Sequence, residues 1–562
     1  MASYNPAPAN RFHSPLSAMA VLSISGMSAA NITGLKSAAA SASADSGRGQ
    51  SANSQSIRTN ALRFINDNSD FPQSETTIAV DPNNPDNIVM GYNDARYFFC
   101  PVLVNECAGP QISSLTGFSA STDGGKTVAK TGNLPDMLVN FTQMVPWGDS
   151  SLTPTVDGNF FFSSLLFSSF SPFFGNAIIV AKSNANLFDP NVSCATDPNH
   201  IYTNPCWTIR IVYGNLAFPV LALEDKDRIA VDRDPGSPFF GSAYISWDHF
   251  KFDGTSDGFV ARCDNNLTGC VMLSGGPQPI ISSPDRFVGW TTPTIDKNGN
   301  VLVAWCNFGT FLTLGPVDCR VSSSPPGGAS FGPPAEIFSY MGTGTMLPSA
   351  TVIIGWATEQ FRTAPGLISI ASDLSPKTNN LYFAPQVCTS GHYYQFPSFI
   401  GVAPDNPGLC GLSTVVFSSS TDGGATWSSP VGLSKPTVND QSFVTVDSLT
   451  GQVYVVYYTT QFDSFNHRVD VVASTSSNGG GTFHQFRITA VSNEPNSDPN
   501  MYNYLVPNGL GGAFITPQYG DYFESTSTGG TLYVSFTANY SVEEGTFQTD
   551  PFLAVVGHGN QQ

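Results

Sequence analysis

Ser420-Thr421-Asp422-Gly423-Gly424-Ala425-Thr426-Trp427 is the stretch on which the reading of this chain turns. Its Asp side chain can accept hydrogen bonds from the backbone N–H groups that follow, and its two glycines admit the positive φ of a tight turn. The closing Thr-Trp suits the first residues of a strand that buries its aromatic ring. A near copy stands at Ser121-Thr122-Asp123-Gly124-Gly125-Lys126-Thr127-Val128, and a looser one at Ser476-Ser477-Asn478-Gly479-Gly480-Gly481-Thr482-Phe483. One such octapeptide marks a hairpin. Three in one chain mark a repeat protein.

A second pattern recurs independently: a short apolar strand ending near an Asp, a turn with Gly or Asn, then a β-branched and aromatic strand. It reads Thr77–Asp81 with Asn87–Tyr92, Leu152–Asp157 with Phe160–Phe162, and Arg228–Asp232 with Gly241–Trp247. It continues with Pro293–Asp296 and Val301–Trp305, Leu367–Ala371 and Asn380–Ala384, Phe443–Asp447 and Val453–Tyr458, and Asp521–Glu524 and Leu532–Phe536. From Ile88 to Leu532 the second strands start about 74 residues apart, room for four strands and their loops, which is one propeller blade. The chain is therefore expected to be all-β, a β-propeller of seven four-stranded blades, with six as the alternative. The seventh unit ends after Phe552–Val556 without a fourth strand. Ala61–Ile65 is a candidate to supply it, closing the ring so that no sheet edge stays open. Residues 61–562 would then form a single propeller. Residues 1–60, rich in Ala, Ser and Asn, read either as a low-complexity tail or as a poor secretory signal centred on Leu16–Met27.

Composition narrows the function. With 23 Lys and Arg against 42 Asp and Glu, the net charge of −19 repels phosphate backbones, so nucleic acid is not expected as a partner. No stretch reaches the roughly 18 consecutive apolar residues of a transmembrane helix. The ten cysteines fall into sequence-local couples: Cys100 and Cys107, Cys194 and Cys206, Cys263 and Cys270, Cys306 and Cys319, Cys388 and Cys410. Five local disulfides predict an oxidising compartment, hence a secreted or cell-surface protein. Without any Cys-x-x-Cys, zinc is not expected.

The octapeptides fit the pattern Ser-x-Asp-x-Gly-x-Thr-Trp, and on them the chain resembles the Asp-box (BNR-repeat) sialidase-like superfamily over residues 61–556. Gln73–Pro82 followed by Asn84–Asn87 resembles the opening of exported bacterial members of mostly unassigned activity. The resemblance implies an architectural role for Asp123, Asp422 and Asn478 in outer turns. It also implies an axial site acting on or binding extracellular glycans or glycoproteins, by catalysis or by binding alone; both readings stay open. In that family three Arg clamp a substrate carboxylate, a Tyr–Glu couple supplies the nucleophile and an Asp the acid. Here the family's Arg-Ile-Pro segment is missing and no Arg triad can be assigned, which puts sialidase activity itself in doubt.

Where the innermost strands begin, acidic residues recur: Glu75, Asp149, Asp227, Asp440 and Asp521. Carboxyl groups brought together raise one another's pKa, and a pair can divide the work of acid and base or nucleophile in glycoside cleavage. No cofactor is required for that chemistry. The same oxygens could instead hold Ca²⁺ or cap backbone N–H groups of a neighbouring blade, and no metal site is assigned. Arg228, Arg362 and Tyr519 are the candidate substrate-binding residues. Gly328-Ala329-Ser330-Phe331-Gly332 matches Gly-x-Ser-x-Gly but lies among turns without a following helix, so Ser330 reads as a loop residue. Oligomeric state is left open.

Overall fold

The computed structural model describes residues 61–557, apart from segments 67–72, 95–113, 170–174, 217–221, 252–254, 274–278, 283–286, 309–315, 342–351, 354–359, 362–367, 391–411, 465–467, 495–504, 508–512, 516–519 and 544–545 and positions 196, 198, 199, 438 and 521. Seven antiparallel blade sheets follow one another along the chain, with two separate two-stranded pairs, Val352–Ile353 with Gln360–Phe361 and Leu505–Pro507 with Ala513–Ile515. Blade 1 comprises Gln73–Val80, Ile88–Asp94, Thr116–Ser121 and Lys130–Asn133. In blade 2 the innermost strand comes in two pieces, Thr142–Pro146 and Ser151–Pro154, both paired to Phe160–Ser168, with Asn176–Ser183 and Trp207–Asn215 outside them. Blade 3 runs Ala222–Val231, Ala243–Lys251, Ser256–Cys263, Cys270–Met272, and blade 4 Phe287–Ile295, Val301–Phe308, Pro316–Ser324, Ala335–Met341. Blade 5 starts at Ile370–Ser372, and its second strand is split into Leu381–Phe383 and Gln386–Ser390 against Leu412–Ser420. Blade 6 comprises Asn439–Val446, Val453–Thr459, Asp470–Ser476 and His484–Arg487.

Blade 7 is built from both ends of the propeller. Ser525–Thr528, Thr531–Glu543 and Thr546–Gly557 are joined by Leu62–Arg63, with Leu62 opposite Leu553 and Arg63 opposite Phe552. The Arg63 guanidinium grips the Asp550 carboxylate with Nε at 2.7 Å and Nη2 at 3.1 Å, while Phe64 and Ile65 are buried just beyond. The count is therefore seven blades, not six. Seven apolar clusters bear this out, one in each interface between neighbouring blades. The cluster of Phe64, Ile78, Met90, Tyr533 and Leu553 seals blade 7 to blade 1.

Strand-end aspartates account for the recurring Asp in the sequence. Asp81, Asp232, Asp296, Asp373 and Asp447 each accept the N–H two residues on, at 2.8–3.1 Å, and so build the turn into the second strand. Asp447 also accepts from Gly530 N at 2.8 Å, tying blade 6 to blade 7. The octapeptide turns join third strands to fourth strands in blades 1, 5 and 6. In the first, Asp123 Oδ1 accepts from Lys126 N and Thr127 N at 3.0 Å, and Oδ2 from Thr127 Oγ1 at 2.7 Å. Asp422 and Asn478 accept from Thr426 N and Thr482 N at 2.9 Å in the same way. The Thr127 and Thr426 hydroxyls hold the Asp123 and Asp422 carboxyls down at about 2. The turn of blade 3 follows this logic without the octapeptide: Asp264 accepts from Thr268 N and Oγ1, and Cys263–Cys270 cinches it. Ser330 lies in the corresponding turn of blade 4, outside any strand-turn-helix setting.

Disulfides Cys194–Cys206, Cys263–Cys270 and Cys306–Cys319 are formed as the spacing predicts. Cys100, Cys107 and Cys410 and the side chain of Cys388 lie outside the described residues. No described helix is long and apolar enough to cross a membrane.

Two outcomes follow from this architecture. Arg63→Ala strands the buried Asp550 carboxylate and loosens the closure. It should cost about 2 kcal/mol in chemical denaturation, less than for a fully buried pair because Arg63 is partly exposed, and Arg63→Ala/Asp550→Ala should recover part of the loss. Asp136, buried between blades 1 and 2 and bonded by Gln143 Nε2 at 2.7 Å, is pushed up by burial from 3.8 to about 7. The fold therefore binds this proton more tightly than the unfolded chain, and stability falls as pH rises from about 4 through about 7. Asp136→Asn should flatten that fall and add about 2–4 kcal/mol at pH 8, read from denaturation midpoints across pH.

Candidate functional site

Five innermost strands break at the same place. Glu75, Asp149, Lys226, Trp290 and Gln441 all have φ between 47° and 62°, and Gly520, in the run leading to the first strand of blade 7, has φ 94°. Each of the five is followed at one constant offset by a turn residue: Glu75 by Asp81, Asp149 by Thr155, Lys226 by Asp232, Trp290 by Asp296, Gln441 by Asp447. In blades 1, 3, 4 and 6 the strand pairing shifts register across this residue, the mark of a β-bulge. A left-handed non-glycine residue is uncommon, and five in equivalent positions around one axis define a built feature.

Polar side chains of the preceding blade hold the bulges of blades 2 and 4. Asn93 of blade 1 accepts from Asp149 N at 3.2 Å and donates to Glu75 Oε2 at 2.7 Å. At the equivalent position of blade 3, Asp248 accepts from Trp290 N at 2.6 Å and from Thr291 N and Oγ1 at 3.1 and 2.5 Å. Burial nonetheless pushes Asp248 up to about 6. Gln441 Nε2 donates to Gly520 O at 2.6 Å, and Gly520 sits so close to Glu75 that a Cβ there would lie 2.0 Å from Glu75 Cγ. These contacts join blade 1 to 2, blade 3 to 4 and blade 6 to 7, and Gly520 brings blade 7 back against Glu75 of blade 1.

Charge is concentrated within it. Lys226 Nζ lies 2.8 Å from Asp149 Oδ2, 4.0 Å from Asp225 Oδ1 and 5.1 Å from the centre of the Trp290 ring. Burial by itself would raise Asp149; the Lys226 ammonium outweighs it, with help from Glu75 and Asp225, and the carboxyl is held well below its ordinary range. Asp227, on the next residue but one from Asp225, goes the other way. It is fully buried, neither carboxyl oxygen has a hydrogen bond of good geometry, and the charge of Asp149 adds to the desolvation that drives its pKa well up. Ser163 lies close enough to oppose the rise, but its hydroxyl is turned to the Ser151 carbonyl at 3.5 Å.

Beyond the ring the channel is filled. Arg228 of blade 3 reaches across to blade 7, where its guanidinium stacks 4.0 Å from the Tyr522 ring centre and stands 3.8 Å from Glu524 Oε1. Glu524 also accepts from Thr77 Oγ1 of blade 1 and, at 3.1 Å, from Ser151 Oγ of blade 2; Tyr522 donates to Ser150 O at 2.9 Å. Burial drives the Tyr522 phenol well above 10 and raises Glu524, while Glu524 keeps Arg228 firmly charged. Four blades meet on this plug.

Of the residues singled out in the sequence, Glu75, Asp149, Asp227 and Arg228 come together at the axis. Asp440 precedes the left-handed Gln441, but its side chain is outside the described residues, as are Asp521, Tyr519 and Arg362. Asp123, Asp422 and Asn478 lie in outer turns. Lys226, Trp290, Asn93, Asp248 and Glu524 were not anticipated; the constant offset before the strand-end Asp would have pointed to Lys226 and Trp290. Among the described residues no three His, Cys, Asp or Glu converge as metal ligands.

The chain matches no protein-family model and no curated protein sequence. Among solved structures it is similar to a protein of unknown function from Dyadobacter fermentans, at 10% identity and a TM-score of 0.40, over 75% of this chain and 98% of that one. It is similar to an α-L-arabinanase of Penicillium chrysogenum complexed with arabinobiose, at 10% identity and 0.39, over 76% and 99%. A sialidase of Trypanosoma rangeli follows at 10% and 0.36, over 76% of this chain and 56% of that one. Likeness of this depth speaks to no activity.

Gly520→Ala tests the closure of the ring. The new methyl group must enter Glu75 at a φ that disfavours any side chain, so the variant should lose about 2 kcal/mol or more in chemical denaturation. Gly529→Ala, at φ 60° with nothing within 4 Å, carries the conformational cost alone and should lose about 1 kcal/mol.

Proposed function

We propose that this protein is an exported propeller acting on extracellular glycans, and that it cleaves a glycosidic bond at the axial ring. One observation carries the reading: two neighbouring buried carboxyl groups are driven in opposite directions, Asp227 toward the acid and Asp149 toward the carboxylate. Pairs of this kind divide acid and base roles. Asp227 would deliver its proton to the leaving glycosidic oxygen. Asp149, held ionised by Lys226, would face the positive charge that develops on the sugar ring and take the proton of the attacking water. The chemistry consumes only water and needs no cofactor. Export is supported by three disulfides, which persist in an oxidising compartment.

A second reading, a non-catalytic propeller that binds glycan or protein as a surface or assembly component, is favoured by a specific observation. Arg228 spans the axis, and Asp227 is wholly covered by the side chains around it. A screen against fluorogenic glycosides separates the two. Turnover should appear on at least one glycoside and fall by about 100-fold or more in both Asp227→Asn and Asp149→Asn, with thermal denaturation confirming that each is folded. Asp227→Asn should also remove the alkaline limb of the pH profile. Turnover indifferent to both substitutions sinks the site; glycan binding without turnover selects the second reading.

A further inference from the structure

We infer that the axial site takes an uncharged sugar and excludes sugars carrying a carboxylate, phosphate or sulfate. The inference rests on the glycan-acting reading above and narrows it to a substrate class.

Recognition of an anionic sugar needs a cation with hydrogen bonds to spare. The two cations described at the axis are committed elsewhere. Lys226 is held between Asp149 and Asp225 with its ammonium over Trp290. Arg228 is spread on the Tyr522 ring and faces Glu524. Drawing either toward a ligand anion would leave a carboxylate behind in a site where its partner is buried with it, at 5% exposure or less for Lys226, Asp149 and Asp225. An incoming anion therefore gains no net counter-charge and adds a like charge to the cluster.

The balance of groups points the same way. Glu75, Asp149, Asp225 and Glu524 stand against Lys226 and Arg228, with the protonated Asp227 beside them, an excess of acid in a covered site. Carboxylates in their ionised form only accept hydrogen bonds, and the hydroxyl groups of a neutral sugar are donors that match them. At longer range the chain's net charge of −19 repels anions before contact. Discrimination thus arises from repulsion built into the site as well as from fit.

The experiment pairs turnover with binding. Matched 4-methylumbelliferyl pentosides, hexosides, uronides and sialosides are assayed with the wild-type protein, and the corresponding free sugars are titrated by saturation-transfer NMR with wild type and Asp227→Asn. Neutral glycosides should be turned over with kcat/KM at least about 100-fold above any anionic one, and anionic sugars should give no transfer signal. Turnover or saturable binding of a sialoside or uronide at a level equal to the neutral sugars overturns the inference while leaving the glycan-acting reading intact. Absence of both turnover and binding for every sugar overturns that reading, and the inference with it.

Discussion

The structure depends on a backbone constraint at the axis. Around the axis this chain places a left-handed residue at the same point of the innermost strand in blades 1, 2, 3, 4 and 6. Such a residue is costly on its own, and it persists because the neighbouring blade over-determines it. Asn93 fixes the bulge of blade 2, Asp248 that of blade 4, and Gln441 reaches forward to Gly520. Blade order, closure and the placing of the axial side chains are thus one problem with one solution. The terminal strand Leu62–Arg63 then has only to cover the last outer edge, and the seven apolar clusters between blades supply the bulk of the stabilisation.

The same constraint explains why charge is buried where hydrophobic packing would be the cheaper choice. A bulge exposes backbone N–H groups that the ladder no longer satisfies, and the groups that satisfy them are polar: Asp248 bonds Trp290 N and Thr291 N, and Thr77 Oγ1 accepts from Leu152 N. Once carboxylates are present at the axis, cations must accompany them or the site will not hold together. Lys226 meets Asp149, and Arg228 meets Glu524 across the channel. Asp227 is the exception: Ser163 and Arg228 only partly oppose the desolvation that drives its pKa well up, and burial favours its protonated form. Structural necessity accounts for most of the cluster. It does not account for Asp227, which is why the proposed chemistry is centred there.

How much of this was legible in the sequence varies with the range of the interaction. Local patterns translated directly: Asp422 and Thr426 close a turn, Asp81 and Asp447 cap another, and Cys263 meets Cys270 seven residues on. The blade count and the pairing of Ala61–Ile65 into the last sheet were also readable, because they follow from counting strands and from the penalty on an open edge. The axial site was only half legible. Aligning acidic residues at the start of each innermost strand found Glu75 and Asp149, both truly left-handed, but landed one position late in blade 3, on Asp227 in place of Lys226. In blade 6 it landed one early, on Asp440 in place of Gln441, and in blade 7 one late, beside Gly520. A bulge is a one-residue slip, and a strand's side chains change face with each residue, so an alignment by residue type cannot see it. Lys226 was invisible for a second reason: a lone lysine between two aspartates reads as a solvated surface run.

Those slips bear on the chemistry. Had the acidic positions been equivalent, the axis would hold a ring of like carboxylates, mutually raising one another's pKa and serving best to bind a cation. The register places Lys226 into that ring beside Asp149 and moves Asp227 one step along the strand, where Arg228 and Ser163 only partly offset its desolvation. One carboxyl is thereby held ionised while its neighbour is driven toward the protonated form, the asymmetry on which the proposed acid and base roles rest. The difference between a ring of like carboxylates and the proposed acid–base pair is a single residue of bulge in blade 3.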